Sequence, residues 1–334
     1  MSTSDKPEVV VVTGASAGVG RAVALAFARR GANIGLLARG LDGLEGARRD
    51  VERLGGKALV LPTDVSNAEA VEAAAEAVER EFGPIDVWVN NAMVSVFSPI
   101  KHMLAEDYRR VTEVTYLGYV HGTLAALKRM LPRDRGMIVQ VSSALAFRAI
   151  PLQSAYCASK HAIEGFTESL RTELIHDKSR VKVTLVHLPA INTPQHTWSK
   201  SRMPHRAQPV PPIFQPEVAA EAIYYASHHY RRAWSLGAIT DIALLGNKIA
   251  PGLGDWYLAK TGYDSQMTDE PEDPNRPHNL WEPLPGDHGA HGRFSAQAHT
   301  KSTQWWITKN RSWLAWAILG LVALTALSIV FAAR

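Results

Sequence analysis

Tyr156 and Lys160 stand four residues apart, a spacing that brings two side chains onto one face of a helix. Their chemistry is complementary. A free phenol ionises near pH ~10, too high for easy proton exchange at neutral pH. An ammonium one helical turn away stabilises the phenolate and draws that value down, so the pair can pass a proton to or from an oxygen. Thirteen residues earlier, Ser143 follows the apolar run Met137–Val141, where its hydroxyl can face a substrate oxygen. No Gly-x-Ser-x-Gly elbow surrounds it, which argues against a hydrolase nucleophile. Cys157, beside the tyrosine, reads as small core filler rather than a nucleophile.

A second constellation lies near the N-terminus. Thr13-Gly14-Ala15-Ser16-Ala17-Gly18-Val19-Gly20 follows an apolar run and opens a helical one. Glycines there let the backbone turn tightly and approach a pyrophosphate, while the helix N-terminus offers free N–H groups and the positive end of its dipole. The second apolar run ends at Ala38-Arg39. An acid at that place would bind a ribose 2′-hydroxyl, whereas a guanidinium suits a 2′-phosphate, so Arg39 favours NADP(H) over NAD(H).

These residues need a frame, and the chain supplies one. Strands are predicted at Val9–Val12, Ile34–Leu37, Ala58–Leu61, Ile85–Val89, Met137–Val141 and Val181–His187. Helices are predicted between them at Gly18–Arg30, Leu41–Leu54, Ala68–Phe82, Glu106–Met130 and Ser154–His176. Such alternation gives an α/β fold, a doubly wound parallel sheet with helices on both faces. With 334 residues, 46% hydrophobic and 20% charged, the chain suits one large folded domain rather than a disordered one. The net charge of +4 is too small to argue for nucleic acid, and a single cysteine excludes a disulfide framework. The histidines lack partners at metal-ligand spacing, so no metal is expected.

After the short polar stretch 1–8, which has no apolar core of a secretory signal, the catalytic domain is expected over 9–261. Within it, residues 193–216 hold six prolines and read as a substrate loop, and the helical pattern resumes at Glu217–Tyr230. Residues 262–311, with five prolines and no periodicity, read as a polar linker or loosely packed extension. Residues 312–333 read as a transmembrane anchor: Trp313 to Ala333 carries no charge and as a helix would span roughly 30 Å. Trp305, Trp306, Trp313 and Trp316 gather at its start, as interfacial rings do. Lys301, Lys309 and Arg311 precede it and only Arg334 follows, which places the large domain on the cytoplasmic side.

From about Val9 to the 230s the sequence resembles the short-chain dehydrogenase/reductase family, whose motifs fall here in order. Gly14, Ser16, Gly18, Val19 and Gly20 lie in the glycine motif, and Ser143, Tyr156 and Lys160 match the catalytic residues, the offset favouring Ser143 over Ser142. Asp64-Val65 matches the acid that contacts the adenine amino group. Asn90-Asn91-Ala92 matches the Asn-Asn-Ala-Gly motif, with Met93 for glycine. Pro189-Ala190-Ile191-Asn192-Thr193 resembles the segment whose Ile191 and Thr193 would contact the nicotinamide carboxamide. The resemblance implies a Rossmann-type fold, an NADP cofactor and hydride transfer between nicotinamide C4 and a carbonyl carbon. By the same likeness Tyr156 is the acid and base, Lys160 lowers its pKa and holds the ribose, and Ser143 bonds the carbonyl oxygen.

Two departures stand out. Thr115 occupies the place of an asparagine that supports a proton-relay water, a role its backbone carbonyl could keep. Met93 reads as a gap-filling core methionine. The implied partners are a small carbonyl or alcohol, lipophilic because the chain is tethered, and a membrane; a homo-oligomer is left open. The competing reading is a membrane-tethered NADP(H) sensor or scaffold without turnover.

Overall fold

The computed structural model of the chain describes residues 6–311 and Trp313. Six strands arise where the apolar runs predict them: β1 Val9–Thr13, β2 Asn33–Ala38, β3 Lys57–Pro62, β4 Val87–Asn90, β5 Met137–Ser143 and β6 Lys182–Leu188. A seventh, β7 Ala233–Ser235, pairs parallel with β6 through Trp234 opposite Val186. Among the described residues the strand order of this parallel sheet is β7-β6-β5-β4-β1-β2-β3. The order reverses between β1 and β4, so the crevice beyond the carboxyl ends of those two strands is where such a sheet binds ligands.

Helices α1 Gly18–Ala28, α2 Leu41–Arg53 and α3 Ala68–Phe82 connect the first strands, and α4 Ala105–Thr112, α5 Gly118–Met130 and α6 Ser154–His176 follow. Three more come later: α7 Pro216–His228, α8 Ala238–Ile249 and α9 Pro251–Thr261. Alternation along β1 divides the core. Val10 and Val12 pack with α1, α2 and α7, while Val9 and Val11 pack with α3, α5 and α6. Both faces are covered, which is why the strands read as unbroken apolar runs rather than alternating ones.

The helix expected at Glu106–Met130 is interrupted. Glu113–Leu117 forms a π-helical turn, with Gly118 N–H bonding Glu113 O. The extra residue in that turn lets Thr115 face Val94 while the next turns pack on the sheet. Gly118 sits against Val65, and at Gly122 a Cβ would collide with the Asn90 side chain. The loop 193–216 is better ordered than its prolines suggest. It contains a helical turn at Gln195–Trp198, and Lys200–Ser201 pairs with Val96–Phe97. Lys200 and Arg202 both reach the wholly buried carboxylate of Asp107 on α4.

The largest difference from the sequence reading concerns residues 262–311. In place of a linker or loose extension, the chain packs onto the domain. Met267–Pro271 pairs antiparallel with His205–Ala207, Leu280 is buried in the core on one face of the sheet, and Trp305 in the core on the other. The absence of helical or strand periodicity hid this, because the segment is held by isolated apolar plugs and backbone hydrogen bonds. The transmembrane anchor read at 312–333 lies outside the described residues apart from Trp313. Among the described residues no helix is long and apolar enough to cross a membrane.

Leu280→Ala should therefore lower the unfolding free energy by about 2–5 kcal/mol, the cost of deleting a fully buried leucine. Denaturant titration measures it, and a change below ~0.5 kcal/mol, typical of a surface position, would contradict the packing.

Candidate active site

The glycine turn after β1 is built by close approach. Gly14 and Gly18 have φ of +69° and +57°, in the left-handed region that side chains resist. A Cβ at Gly20 would meet the Gly14 carbonyl at 2.2 Å, so α1 can begin this near β1 only with glycine there. Asn91 locks the turn to the end of β4: its side-chain amide donates to Thr13 O at 2.9 Å, and its backbone N–H donates to Thr13 Oγ1 at 2.9 Å. Asn90 is fully buried, accepting from Trp88 and donating to Gln140 and Thr123, which ties β4 to β5 and α5.

A cleft opens beyond these strand ends. Gly14, Ser16, Gly18 and Val19 of the glycine turn line it, together with Arg39, Asp64, Val65, Asn91, Ala92 and Thr193. Gly20, Pro189 and Ile191 are not on its surface. Gly20 lies against the backbone of Gly14, Pro189 packs near Gly237, and Ile191 pairs its short strand with Phe214. Met93 lines the cleft instead of filling the core. A floor made of backbone at a helix N-terminus, with space above it, fits the diphosphate of a dinucleotide.

The extension supplies a wall that sequence reasoning missed. Asn279, Pro283, Leu284, Gly286 and His288 line the same cleft. Gly18 N–H bonds Gly289 O at 3.1 Å. Arg21, almost fully buried, pairs with both Asp50 and Asp287. Gly46 leaves room for Asp287, since a Cβ there would overlap its carboxylate. Arg39 turns its guanidinium onto the carbonyls of Asn279, Leu280 and Trp281. Asp64 is likewise engaged, with Arg110 and Ser66; burial pushes its carboxyl up, but those bonds win and hold it below the ordinary range. The one sequence signal for the wall was the Leu280-Trp281 pair inside a polar stretch.

The second cluster lies where β5 ends and α6 begins. Ser143 closes β5, and its hydroxyl accepts from Leu145 N–H and engages the phenol of Tyr156. Tyr156 and Lys160 share one face of α6, with the Lys160 Nζ 5.6 Å from the phenol ring centre. Lys160 is buried and donates to Tyr119 Oη at 2.9 Å and Val141 O at 2.7 Å. Tyr119, on α5, itself donates to Val141 O at 2.8 Å. Behind them Glu164 accepts from Ser142 and His187.

Burial dominates the titration of this cluster. It pushes the Tyr156 phenol up from its ordinary value, opposed by the Ser143 contact, and Lys160 does not draw it down as the spacing suggested. The reason is geometric: the ammonium spends its bonds on Tyr119 and Val141. Burial lowers Lys160 to about 7, with Glu164 opposing. The buried thiol of Cys157 is pushed up to about 11, consistent with filler rather than a nucleophile. Thr115, fully buried, gives and takes hydrogen bonds with the backbone of Val94, a residue of the cleft wall.

Comparison with known proteins places these features in context. The profile of the short chain dehydrogenase family matches residues 8–203. The uncharacterized oxidoreductase YxnA of Bacillus subtilis is 33% identical over 326 residues, 96% of this chain and 90% of that protein. Dehydrogenase/reductase SDR family member 7 of Homo sapiens is 42% identical over 170 residues, half of each chain. Among solved structures, the alcohol dehydrogenase of the archaeon Thermococcus sibiricus complexed with 5-hydroxy-NADP superposes with a TM-score of 0.60. It is 27% identical and covers 69% of this chain and 95% of its own.

The lowered Lys160 gives a stability signature. Its folded value of about 7 lies below the ordinary 10.5 of the unfolded chain, so between those pH values the unfolded chain binds more protons. The unfolding free energy of the wild type relative to Lys160→Met should rise with pH through that window and level off outside it. Denaturant titrations of both proteins across the window measure this, and a flat difference would mean that Lys160 keeps an ordinary pKa.

Proposed function

The chain belongs to the short-chain dehydrogenase family, and from that premise we propose that it is an NADP(H)-dependent oxidoreductase interconverting a carbonyl and an alcohol, with Tyr156 as acid and base. The observation that carries this reading is the convergence of Ser143, Tyr156 and Lys160 at the end of β5, with a glycine-floored cleft beyond β1 and β4. The bound dinucleotide would supply or accept a hydride at its nicotinamide. Gly14, Ser16, Gly18 and Val19 would hold its pyrophosphate, with Gly20 letting α1 begin close to β1, and Asp64 and Val65 would hold its adenine. Asn91 and Ala92 would line its path, and Thr193, the one residue of its motif on the cleft, would contact the carboxamide.

In reduction, Tyr156 gives its proton to the carbonyl oxygen while Ser143 donates a hydrogen bond to the same atom. A phenol held above its ordinary value keeps that proton at neutral pH, which suits the reductive direction. Lys160, once protonated, offsets the charge left on the phenolate and holds the ribose. Thr115 supports the relay water through its backbone carbonyl. Arg39 takes the 2′-phosphate by exchanging the carbonyls of the extension for phosphate oxygens, a stronger charge-assisted partner. The substrate is lipophilic, and residues 312–333 tether the chain to a membrane with the catalytic domain on the cytoplasmic side.

NADPH absorbance followed across a panel of carbonyls tests the reading. Tyr156→Phe should lower kcat on the order of 10²–10⁴-fold with NADPH binding retained, since only the proton donor is removed. NADPH binding without turnover on any carbonyl would point instead to the sensor or scaffold. Arg39→Asp should raise the KM for NADPH far more than for NADH; equal effects would remove Arg39 from 2′-phosphate recognition.

A further inference from the structure

Helices α8 and α9 form a consecutive pair whose amphipathicity is inverted. Their protein-facing side is held by polar contacts. Arg148 bonds Asn247 and pairs with Asp255, and Asn247 donates to Phe147 O at 2.7 Å. Their outward side is apolar. On α8, Ile239, Ile242, Leu245 and Ile249 fall on one face, with Ile242 62% and Ile249 74% exposed. On α9, Leu253, Trp256 and Tyr257 do the same, Leu253 being 72% exposed. Thr240 is the one buried residue of α8, and α9 has none. Single exposed leucines need no explanation, but seven large apolar side chains on two successive helices do.

We propose that this face is a lipid-contact surface, seated in the bilayer that receives the apolar end of the chain; the proposal rests on the reading of residues 312–333 as a membrane tether. Three observations favour lipid over a second copy or the chain's own end.

The first is where the chain leaves the domain. Residues 303–311 are helical, and their Gln304 is bolted to the start of α8 by accepting from Gly237 N–H and donating to Ser235 O and Asp241. Trp305 is buried, while Trp306, Ile307 and Trp313 are exposed. The last described helix is therefore fixed beside the start of α8, and its exposed Trp306 and Ile307 add to the apolar surface. The second is the charge around the face. Lys248, Lys260, Lys309 and Arg311 are all exposed and complement anionic headgroups, while Asp241 and Asp255 are taken up by Gln304 and Arg148. The third is Lys260, whose ammonium lies 3.9 Å from the ring centre of Trp256, the pairing of aromatic body and cationic tip that suits a membrane interface.

The surface adjoins the chemistry. Gly254 packs against Arg148 and Gly262 against Pro151, so the hairpin roofs the loop running from Ser143 to Tyr156. Seated in lipid, it would bring the rim of the substrate site to the bilayer.

The test uses the full chain with Leu253→Cys or Ile242→Cys carrying an environment-sensitive fluorophore. The vesicles are phosphatidylcholine and phosphatidylserine, with or without a lipid bearing a nitroxide just below the headgroup. Both labels should be quenched at least about twofold by the nitroxide lipid, as expected for helices lying ~5–10 Å into the interface. A label at Glu52→Cys, exposed on α2, should be unaffected. Blue-shifted emission without nitroxide quenching means that the chain's own end or a second copy covers the face, and it overturns the proposal. Water-like emission from a chain that floats with the vesicles overturns it too, while leaving the tether intact. A chain that does not float with vesicles overturns both.

Discussion

The buried ammonium of Lys160 is the constraint around which the catalytic end is organised. An isolated charge in a protein interior is costly unless hydrogen bonds replace its hydration. Here the replacement comes from two other elements, the Val141 carbonyl of β5 and the Tyr119 hydroxyl of α5, with Glu164 one turn further along α6. Holding that geometry fixes how far α6 can slide or rotate over the sheet. It thereby fixes Tyr156 on the same face and the reach of Ser143 toward it. The cost shows in the lowered pKa of the lysine, so the charge that the chemistry needs is poised to come and go near neutral pH.

The nucleotide end follows a different logic. Its floor is backbone, held by Asn91 bridging β4 to β1, and it requires glycines rather than charges. The charges sit on the walls or just behind them, and each is engaged by the protein itself: Asp64 by Arg110 and Arg39 by carbonyls of the extension on the walls, and the buried Arg21 by Asp50 and Asp287 behind them. The cleft is thus electrostatically balanced, and a phosphate would compete with internal partners of known identity.

Much of this was legible in the residues. The sheet strands read as fully buried runs because both faces are covered, and α3 and α6 begin and end where their patterns do. The glycine motif, Asp64, Asn91 and Thr193 converge on one cleft because β-strand ends at a switch point must converge. What escaped was of another kind. Tyr119 carries no local signal, since its role depends on α5 crossing β5. The π turn at Glu113–Leu117 is invisible to a 3.6-residue pattern that a single extra residue disturbs. Pro189 and Ile191 share a motif with Thr193, yet Ile191 pairs in a short strand with Phe214 and Pro189 packs by Gly237, so neither lines the cleft. The extension escaped because isolated anchors have no period to detect.

Those anchors carry a consequence for biosynthesis. Leu280 seals one side of the sheet and Trp305 the other, so each half of the interior waits for a residue made very late. A chain emerging from the ribosome has all seven strands before either plug arrives. Closure of the interior on both faces therefore follows completion of the sheet, and a chain stopped before Leu280 would leave both faces without their plugs.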